Sequence, residues 1–371
     1  MGFANQTGKM RRRFRTYISR KKKTEITKET EEIMPANSKN MSAINMQTAN
    51  GKATEPHPDN RNNKPVFITP EILDVLPDLL ADRTTGKNIV WATDTYESYG
   101  AYYSREKQMF PDFNMNLILG GILLPRIQKT KLQKQSRTKA RAEVYTPAWI
   151  CNTMNNFCDE DWFGRPNVFN TENDDHTWTV TEGPITFPER KYKRITEWQR
   201  YVDSRRIEIT CGEGPYLVSR YDATTGENLP IRMRIGILDR KLRIVNENTE
   251  TEEEWLKWTY RAYEATYGYE YQGDNLFFVR VNLLQTFIDY YQDRFHKQPT
   301  RKMLKHIAFI ISWNIWQMNG LKDQAPYGIP KDMYQQLTLF DDESQGGPIY
   351  CRIRNWRSQA TIEFRKLKEK D

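Results

Sequence analysis

The stretch Glu208-Ile-Thr-Cys-Gly-Glu-Gly-Pro-Tyr-Leu217 decides the fold that we expect for this chain. It continues an alternating run that starts at Arg206 and predicts a strand, and it leads into residues 217–221, which predict the start of a helix. Gly212 and Gly214 allow the backbone to turn tightly and to approach a ligand closely. A strand, a glycine turn and a helix start form the crevice in which parallel sheets bind ligands. Alone, the Gly-x-Gly spacing is typical of an ordinary tight turn as well.

The composition predicts a folded protein with an anionic partner. The chain has 371 residues, of which 38% are hydrophobic and 12% aromatic, so one large or two smaller domains can form a core. Its net charge of +8 favours nucleic acid as a partner. The four cysteines, at positions 151, 158, 211 and 351, form no CxxC pair, which favours a reducing cytoplasm and argues against a zinc site. No apolar run approaches the ~20 residues that a membrane helix needs, and we expect no membrane association.

The first 63 residues differ from the rest in composition. They are basic at first and then rich in Asn, Ser, Pro and Ala, with too little apolar content to offset the entropy of ordering. Residues 1–63 therefore predict a disordered basic tail. It is either a solvated extension or an arm that binds phosphates without sequence preference.

Residues 64–140 predict a small segment of helix and strand. A helix is expected from Thr69, followed by a proline and interrupted at Pro77, and a strand is expected over 88–93. At the end of this segment, residues 126–141 carry many basic side chains and no acid. This basic stretch is either a nucleic-acid contact or a solvated helix face.

A third helix signal follows at Tyr145-Thr-Pro, where Thr146 is a good N-cap and Pro147 suits the first helical position. This entry, then the glycine loop, then an acidic strand end resembles the amino-type DNA methyltransferases of restriction–modification systems. More narrowly, it resembles the proteins called restriction endonuclease subunit M. The resemblance implies that Tyr145, Thr146 and Pro147 help to hold S-adenosylmethionine.

In that family the glycine loop usually reads Asp-Pro-x-Cys-Gly-x-Gly. Here Cys211, Gly212 and Gly214 match, Glu208 stands in place of the aspartate, and the proline is absent. The resemblance implies that these four residues also belong to the cofactor site.

The next match is Glu270, which ends a β-prone run and precedes an apolar helical stripe. A carboxylate at the end of a parallel strand suits the paired hydroxyls of a ribose. The resemblance gives Glu270 this role toward the cofactor.

The apolar run from His306 to Gly320 predicts a buried parallel strand whose carboxyl end opens on the crevice. In the family a polar residue here contacts the adenine. Asn319 is the closest equivalent and Asn314 the competitor, and either asparagine can instead satisfy a buried turn.

The family's catalytic motif, Asn/Asp-Pro-Pro-Tyr/Phe, has no copy, since no Pro-Pro dipeptide occurs in the sequence. A predicted strand ending in Asn355-Trp356 stands in the expected place, and residues 361–365 predict one last strand. An amide and an aromatic ring at a strand end can imitate the chemistry of the motif. Asn355 and Trp356 are therefore the predicted catalytic residues.

We expect an α/β protein with a Rossmann-like S-adenosylmethionine-dependent methyltransferase sheet over 141–371, preceded by the small segment and the disordered basic tail. The predicted function is methylation of the amino group of a DNA base, adenine first, in a restriction–modification type system. The predicted partners are double-stranded DNA and, beside it, a restriction endonuclease or a specificity subunit. The alternative is a catalytically inactive DNA-binding or assembly subunit with the same sheet.

Overall fold

The computed structural model describes residues 68–141, 146–189, 195–327 and 348–368. The predicted tail over 1–63 and Tyr145 lie outside these residues. Within them the strands form an antiparallel hairpin, a parallel sheet and a second hairpin. They are β1 (Asn170–Glu172) and β2 (Trp178–Val180), then β3 (Arg206–Ile209), β4 (Thr266–Glu270) and β5 (Ile315–Gln317), then β6 (Arg352–Asn355) and β7 (Ala360–Glu363).

Along the chain, the described helices alternate with the strands, as in a mixed α/β protein. They are α1 (Pro70–Asp74), α2 (Leu76–Leu80), α3 (Pro111–Leu119), α4 (Lys131–Arg141), α5 (Ala148–Phe163), α6 (Glu197–Val202), α7 (Ile237–Asn248), α8 (Glu252–Glu264), α9 (Gly273–Phe295), α10 (Arg301–Asn314) and α11 (Arg365–Lys368). Helices α7 and α8 lie between β3 and β4 in the chain, and α9 and α10 lie between β4 and β5. Parallel neighbours need such helical crossovers.

The parallel sheet has the order β3-β4-β5, so consecutive strands are neighbours. Ile209 faces Tyr269, and Glu270 faces Gln317 across the sheet. The carboxyl ends of all three strands therefore open on one side, which we call the carboxyl edge and define by residues 210–214, 270–273 and 317–320. This small parallel sheet flanked by helices is compatible with a Rossmann-like fold.

The N-terminal segment packs directly on this sheet. The Gln317 side-chain amide makes two hydrogen bonds with the backbone of Val90. It accepts from the Val90 N–H at 2.8 Å and donates to the Val90 carbonyl at 2.8 Å. The buried Arg280 of α9 donates to the carbonyls of Leu79, Ala81 and Ile315. In place of the strand predicted over 88–93, Asn88 and Val90 form isolated β-bridges with Ala81 and Gln108.

The predicted helix at 217–221 is absent from the structure. The Ser219 N–H donates to Asp239 Oδ2 at 2.8 Å, and the carbonyl of Leu217 accepts from Leu238 at 2.9 Å. These backbone groups bind the first turn of α7 and so are not available for helical hydrogen bonds. The helix after the glycine loop begins only at Ile237.

The predicted buried strand over 306–320 is mostly helix. Thr300 caps α10 by accepting from the N–H of Met303, and the helix continues to Asn314 before the three residues of β5. A continuous apolar run is compatible with a buried helix as well as with a buried strand. Here the N-cap at Thr300 favours the helix. Among the described residues, no helix is long and apolar enough to cross a membrane.

Candidate functional site

The glycine loop forms a tight turn at the carboxyl edge. Gly212 and Gly214 have φ values of +54° and +81°, in the left-handed region that favours glycine. A Cβ on Gly214 would lie 2.5 Å from Cγ2 of Val279, so this glycine lets the loop pack on α9. The side chain of Cys211 is buried beneath the loop, and burial raises the pKa of its thiol.

Glu270 joins the glycine loop to the end of β4. Its Oε2 accepts from the N–H of Gly212 at 2.8 Å, and its Oε1 accepts from Tyr271 at 2.8 Å and Gln272 at 3.0 Å. Burial raises the pKa of this carboxyl, and the three amides oppose that rise. Because two carboxylate oxygens offer about four acceptor positions, roughly one remains for a ligand hydroxyl.

Glu208 has an unsatisfied oxygen next to the same loop. Its Oε2 is inaccessible to solvent and has no hydrogen-bond partner among the described residues. Burial raises the pKa of this carboxyl well above its usual value, although the backbone amides of Tyr216 and Leu217 act to lower it. A buried acceptor without a donor is costly, and a cationic donor from a ligand would remove that cost.

The start of α5 reaches the turn that follows the glycine loop. The Tyr216 hydroxyl lies beside Thr146 and Cys151, and the N–H of Ala148 donates to Asp222 Oδ2 at 2.9 Å. Pro147 occupies the N-cap position, one residue before the predicted place in the helix. The structure thus brings Thr146 and Pro147 to the region of Glu208.

The two candidate asparagines lie at opposite ends of the sheet. Asn319 follows β5 on the carboxyl edge, where its Oδ1 accepts from Leu321 at 3.1 Å and Lys322 at 3.2 Å. Asn314 precedes β5 and donates to the carbonyls of Tyr263 and Thr266. Asn319 is therefore the one that lies near Glu270, whose carbonyl accepts from the adjacent Met318 at 3.0 Å.

Asn355 and Trp356 also lie away from the glycine loop. Trp356 Nε1 donates to Asn314 Oδ1 at 2.8 Å, and Asn355 Oδ1 is 3.5 Å from a guanidinium nitrogen of Arg205. Because Arg205 precedes β3 and Asn314 precedes β5, both predicted catalytic residues lie at the amino ends of the strands. Strand β6 pairs with β7 and not with the parallel sheet, so the structure does not bring this pair to the carboxyl edge.

A different amide and aromatic ring do lie there. The segment Gln324-Ala-Pro-Tyr327 follows β5, with the carbonyl of Gln324 accepting from the N–H of Asn319 at 2.8 Å. The Tyr327 hydroxyl donates to the carbonyl of Ala92 at 3.1 Å, and its ring is 44% exposed. In these four residues an amide and an aromatic ring flank a single proline, as in the family's Asn/Asp-Pro-Pro-Tyr/Phe motif. The requirement for two consecutive prolines excluded this segment from the sequence prediction.

The basic stretch 126–141 has two kinds of cation. Lys129 Nζ and Arg137 Nη2 lie 3.5 and 2.9 Å from Oδ2 of Asp274, and all three side chains are buried. Although burial acts to raise it, Arg137 and Lys129 hold the pKa of Asp274 below its usual value. Lys129 and Arg137 are thus not available to phosphates, whereas Lys131 and Lys139 are exposed.

No family model matches this chain, and neither a curated protein nor a solved structure matches it. The candidate site is therefore defined by the contacts of its own residues. In the part of the chain that the structure describes, no group of His, Cys, Asp and Glu is placed to hold a metal ion.

Proposed function

We propose that the carboxyl edge binds S-adenosylmethionine in a methyltransferase-like sheet. The observation that carries this proposal is the buried, unpartnered Oε2 of Glu208 beside the glycine loop. S-adenosylmethionine has two positive groups, an ammonium and a sulfonium, and the ammonium supplies the donor that this oxygen lacks. The residues present therefore fit the cofactor.

Each predicted cofactor residue has a role in this proposal. Glu208 accepts from the ammonium, and Glu270 accepts from a ribose hydroxyl with its remaining acceptor position. The turn at Gly212 and Gly214 lets the backbone pass close to the ligand, and Asn319, which follows β5 on the same edge, would contact the adenine of the cofactor. Residues 145–147 with Cys211 complete the set that the resemblance implies.

The proposed reaction is methylation of the amino group of a DNA base, adenine first, in a restriction–modification type system. Bound S-adenosylmethionine supplies the methyl group. The base has to leave the duplex stack to reach the carboxyl edge. Gln324 and Tyr327 are the amide and the ring at that edge, and they orient the amino group by hydrogen bonding and stacking. Double-stranded DNA is the proposed partner, with a nuclease or specificity subunit as a further one.

A second function is favoured by one observation. Asn355 and Trp356, the residues expected to replace the catalytic motif, lie at the amino ends of the strands. In this alternative the same sheet binds DNA, with or without the cofactor, as an assembly subunit that has no catalysis of its own.

Transfer of labelled methyl from S-adenosylmethionine to mixed-sequence DNA separates these functions. We expect transfer by the wild type, a loss of about 100-fold in Gln324→Ala, as for removal of one stabilising group, and little loss in Asn355→Ala. The two amides are matched in chemistry and differ in the edge that they occupy. A wild type that binds the cofactor but transfers no methyl to any DNA supports the second function. If Asn355→Ala loses transfer and Gln324→Ala does not, the catalytic residues lie at the amino ends of the strands.

A further inference from the structure

A cavity of about 560 Å³ lies between the β1–β2 hairpin, residues 230–234, α7 and α9. None of its lining residues belongs to the carboxyl edge. Its apolar wall includes Phe169, Trp178, Val180 and Met233. A cavity of this volume, with an apolar wall and a few polar groups, is typical of a small-molecule site.

The arginines that line the cavity have acidic partners. They pair as Arg232 with Glu182, Arg234 with Asp289, Arg240 with Asp159 and Arg243 with Glu247. Arg243 also donates to the carbonyls of Thr181 and Gly183 and so fixes the end of the hairpin. The lining therefore does not present four free cations, and a highly charged anion is not its natural ligand.

Arg234 nevertheless has one unused donor. Its Nη2 lies 2.7 Å from Asp289 Oδ2, and its Nε donates to the carbonyl of Leu229 at 3.3 Å. Arg220 also binds Asp289 Oδ2, at 3.0 Å, so this one carboxylate oxygen serves two guanidinium groups. Nη1 of Arg234 is buried and has no hydrogen-bond partner among the described residues.

Asp239 has an unused acceptor in the same lining. Its Oδ2 accepts from the N–H of Ser219 at 2.8 Å and of Gly236 at 3.2 Å, whereas its buried Oδ1 has no partner among the described residues. Burial raises the pKa of this carboxyl, and Arg234 acts to lower it. The two side chains thus interact electrostatically without forming an ion pair, and each keeps one buried polar atom unsatisfied.

The two unused atoms favour a ligand that carries both signs of charge. An anion would leave Oδ1 of Asp239 without a donor, and a cation would leave Nη1 of Arg234 without an acceptor. An α-amino acid has a carboxylate and an ammonium on the same carbon, so it can satisfy both atoms by charge-assisted hydrogen bonds. The apolar wall then favours an apolar side chain.

We propose that this cavity binds an apolar α-amino acid, with its carboxylate on Arg234, its ammonium on Asp239 and its side chain against Trp178 and Met233. It is a second small-molecule site beside the carboxyl edge. The inference does not depend on the proposed function, because the two sites share no residue.

The test is calorimetric titration of the full-length wild type with L-phenylalanine, L-leucine, L-methionine and L-tryptophan. The one that binds most tightly is then compared with its amide, which lacks the carboxylate, and with its deaminated acid, which lacks the ammonium. Each analogue should bind at least about tenfold more weakly, since each has lost one charge-assisted hydrogen bond.

Asp239→Asn separates a direct contact from a structural role. The affinity for the amino acid should fall about tenfold, whereas the affinity for the deaminated acid should not fall, because that analogue has no ammonium to lose. Glu208→Gln is the matched control, since it also changes a buried carboxyl with an unpartnered oxygen. The affinity for the amino acid should be the same in Glu208→Gln as in the wild type.

Four results would overturn the inference. They are no binding of any of the four amino acids, equal affinity for the amino acid and its analogues, equal losses for amino acid and deaminated acid in Asp239→Asn, and competition with S-adenosylmethionine. If Asp239→Asn does not fold, the analogues still decide with the wild type. If S-adenosylmethionine does not bind and the amino acid does, the proposed cofactor site is wrong and this cavity remains.

Discussion

Replacing Glu208 by glutamine tests the cofactor site most directly. The change removes the charge and keeps the shape of the side chain. Burial already favours the neutral acid in the ligand-free protein, since it raises the pKa of Glu208. We therefore expect the free energy of unfolding to change by no more than about 1.5 kcal/mol, the net worth of one hydrogen bond.

The expected effect on the cofactor is larger. A hydrogen bond between an ammonium and a carboxylate contributes about 1.5–3 kcal/mol, so the Kd should rise roughly 10- to 150-fold in Glu208→Gln. Only the ionised carboxylate makes this bond well. The affinity of the wild type should therefore increase as the pH rises through the elevated pKa of Glu208, with release of a proton on binding. The affinity of the variant should not follow that rise.

Isothermal titration calorimetry measures both quantities when it is repeated in buffers of different ionisation enthalpy. The pH range is kept where the amino group of S-adenosylmethionine stays charged. Glu264→Gln is the matched control, because burial also raises the pKa of Glu264, which lies at the end of α8 beside Arg261. Equal Kd values and equal proton release in wild type and Glu208→Gln would refute the proposed role of Glu208.

Three further changes test the geometry of the edge. Glu270→Ala leaves its amide partners without an acceptor, so we expect at least about 3 kcal/mol of lost stability in urea unfolding, and unchanged stability would contradict the network. Lys131→Gln should reduce the slope of log DNA affinity against log salt concentration by about one unit. Because the Lys129 side chain contacts the buried carboxylate of Asp274, Lys129→Gln should leave that slope unchanged and lower Tm. Gly214→Ala should lower the free energy of unfolding by about 1–3 kcal/mol more than Gly183→Ala does, because the added methyl group overpacks the loop. Gly183 is the control, since it has a similar φ but open space around it. Equal losses in the two variants would contradict the steric explanation.

The local patterns of the sequence predict the central part of the site. The alternating run before the glycine loop is β3 as predicted, and the run ending in Glu270 is β4, followed by α9. These elements follow from neighbouring residues alone, since side-chain alternation and strand-end acids are local features. The placement of Glu270 against the glycine loop follows from parallel pairing of two such strands.

The rest of the site depends on contacts between distant residues. A strand ends at Asn355 as predicted, with Trp356 in the turn directly after it, but the edge of the sheet at which they lie depends on pairing of β6 with β7 and on a hydrogen bond to Asn314. The inward orientation of Lys129 likewise depends on Asp274, which lies far along the chain. A charge pattern does not distinguish a cation that faces solvent from one that neutralises a buried carboxylate.

The guanidinium of Arg280 makes the folding of the parallel sheet depend on the N-terminal segment. It donates to the carbonyls of Leu79 and Ala81 at the end of α2 and to that of Ile315 at the start of β5. If residues 68–141 were removed, this cation would lose two acceptors, and the carboxylate of Asp274 would lose both its cations and the Tyr96 hydroxyl. Buried charges without partners are among the most destabilising defects in a protein interior. The N-terminal segment and the parallel sheet therefore form one cooperative folding unit, and the region after residue 141 is not a module that can be excised or exchanged at that point.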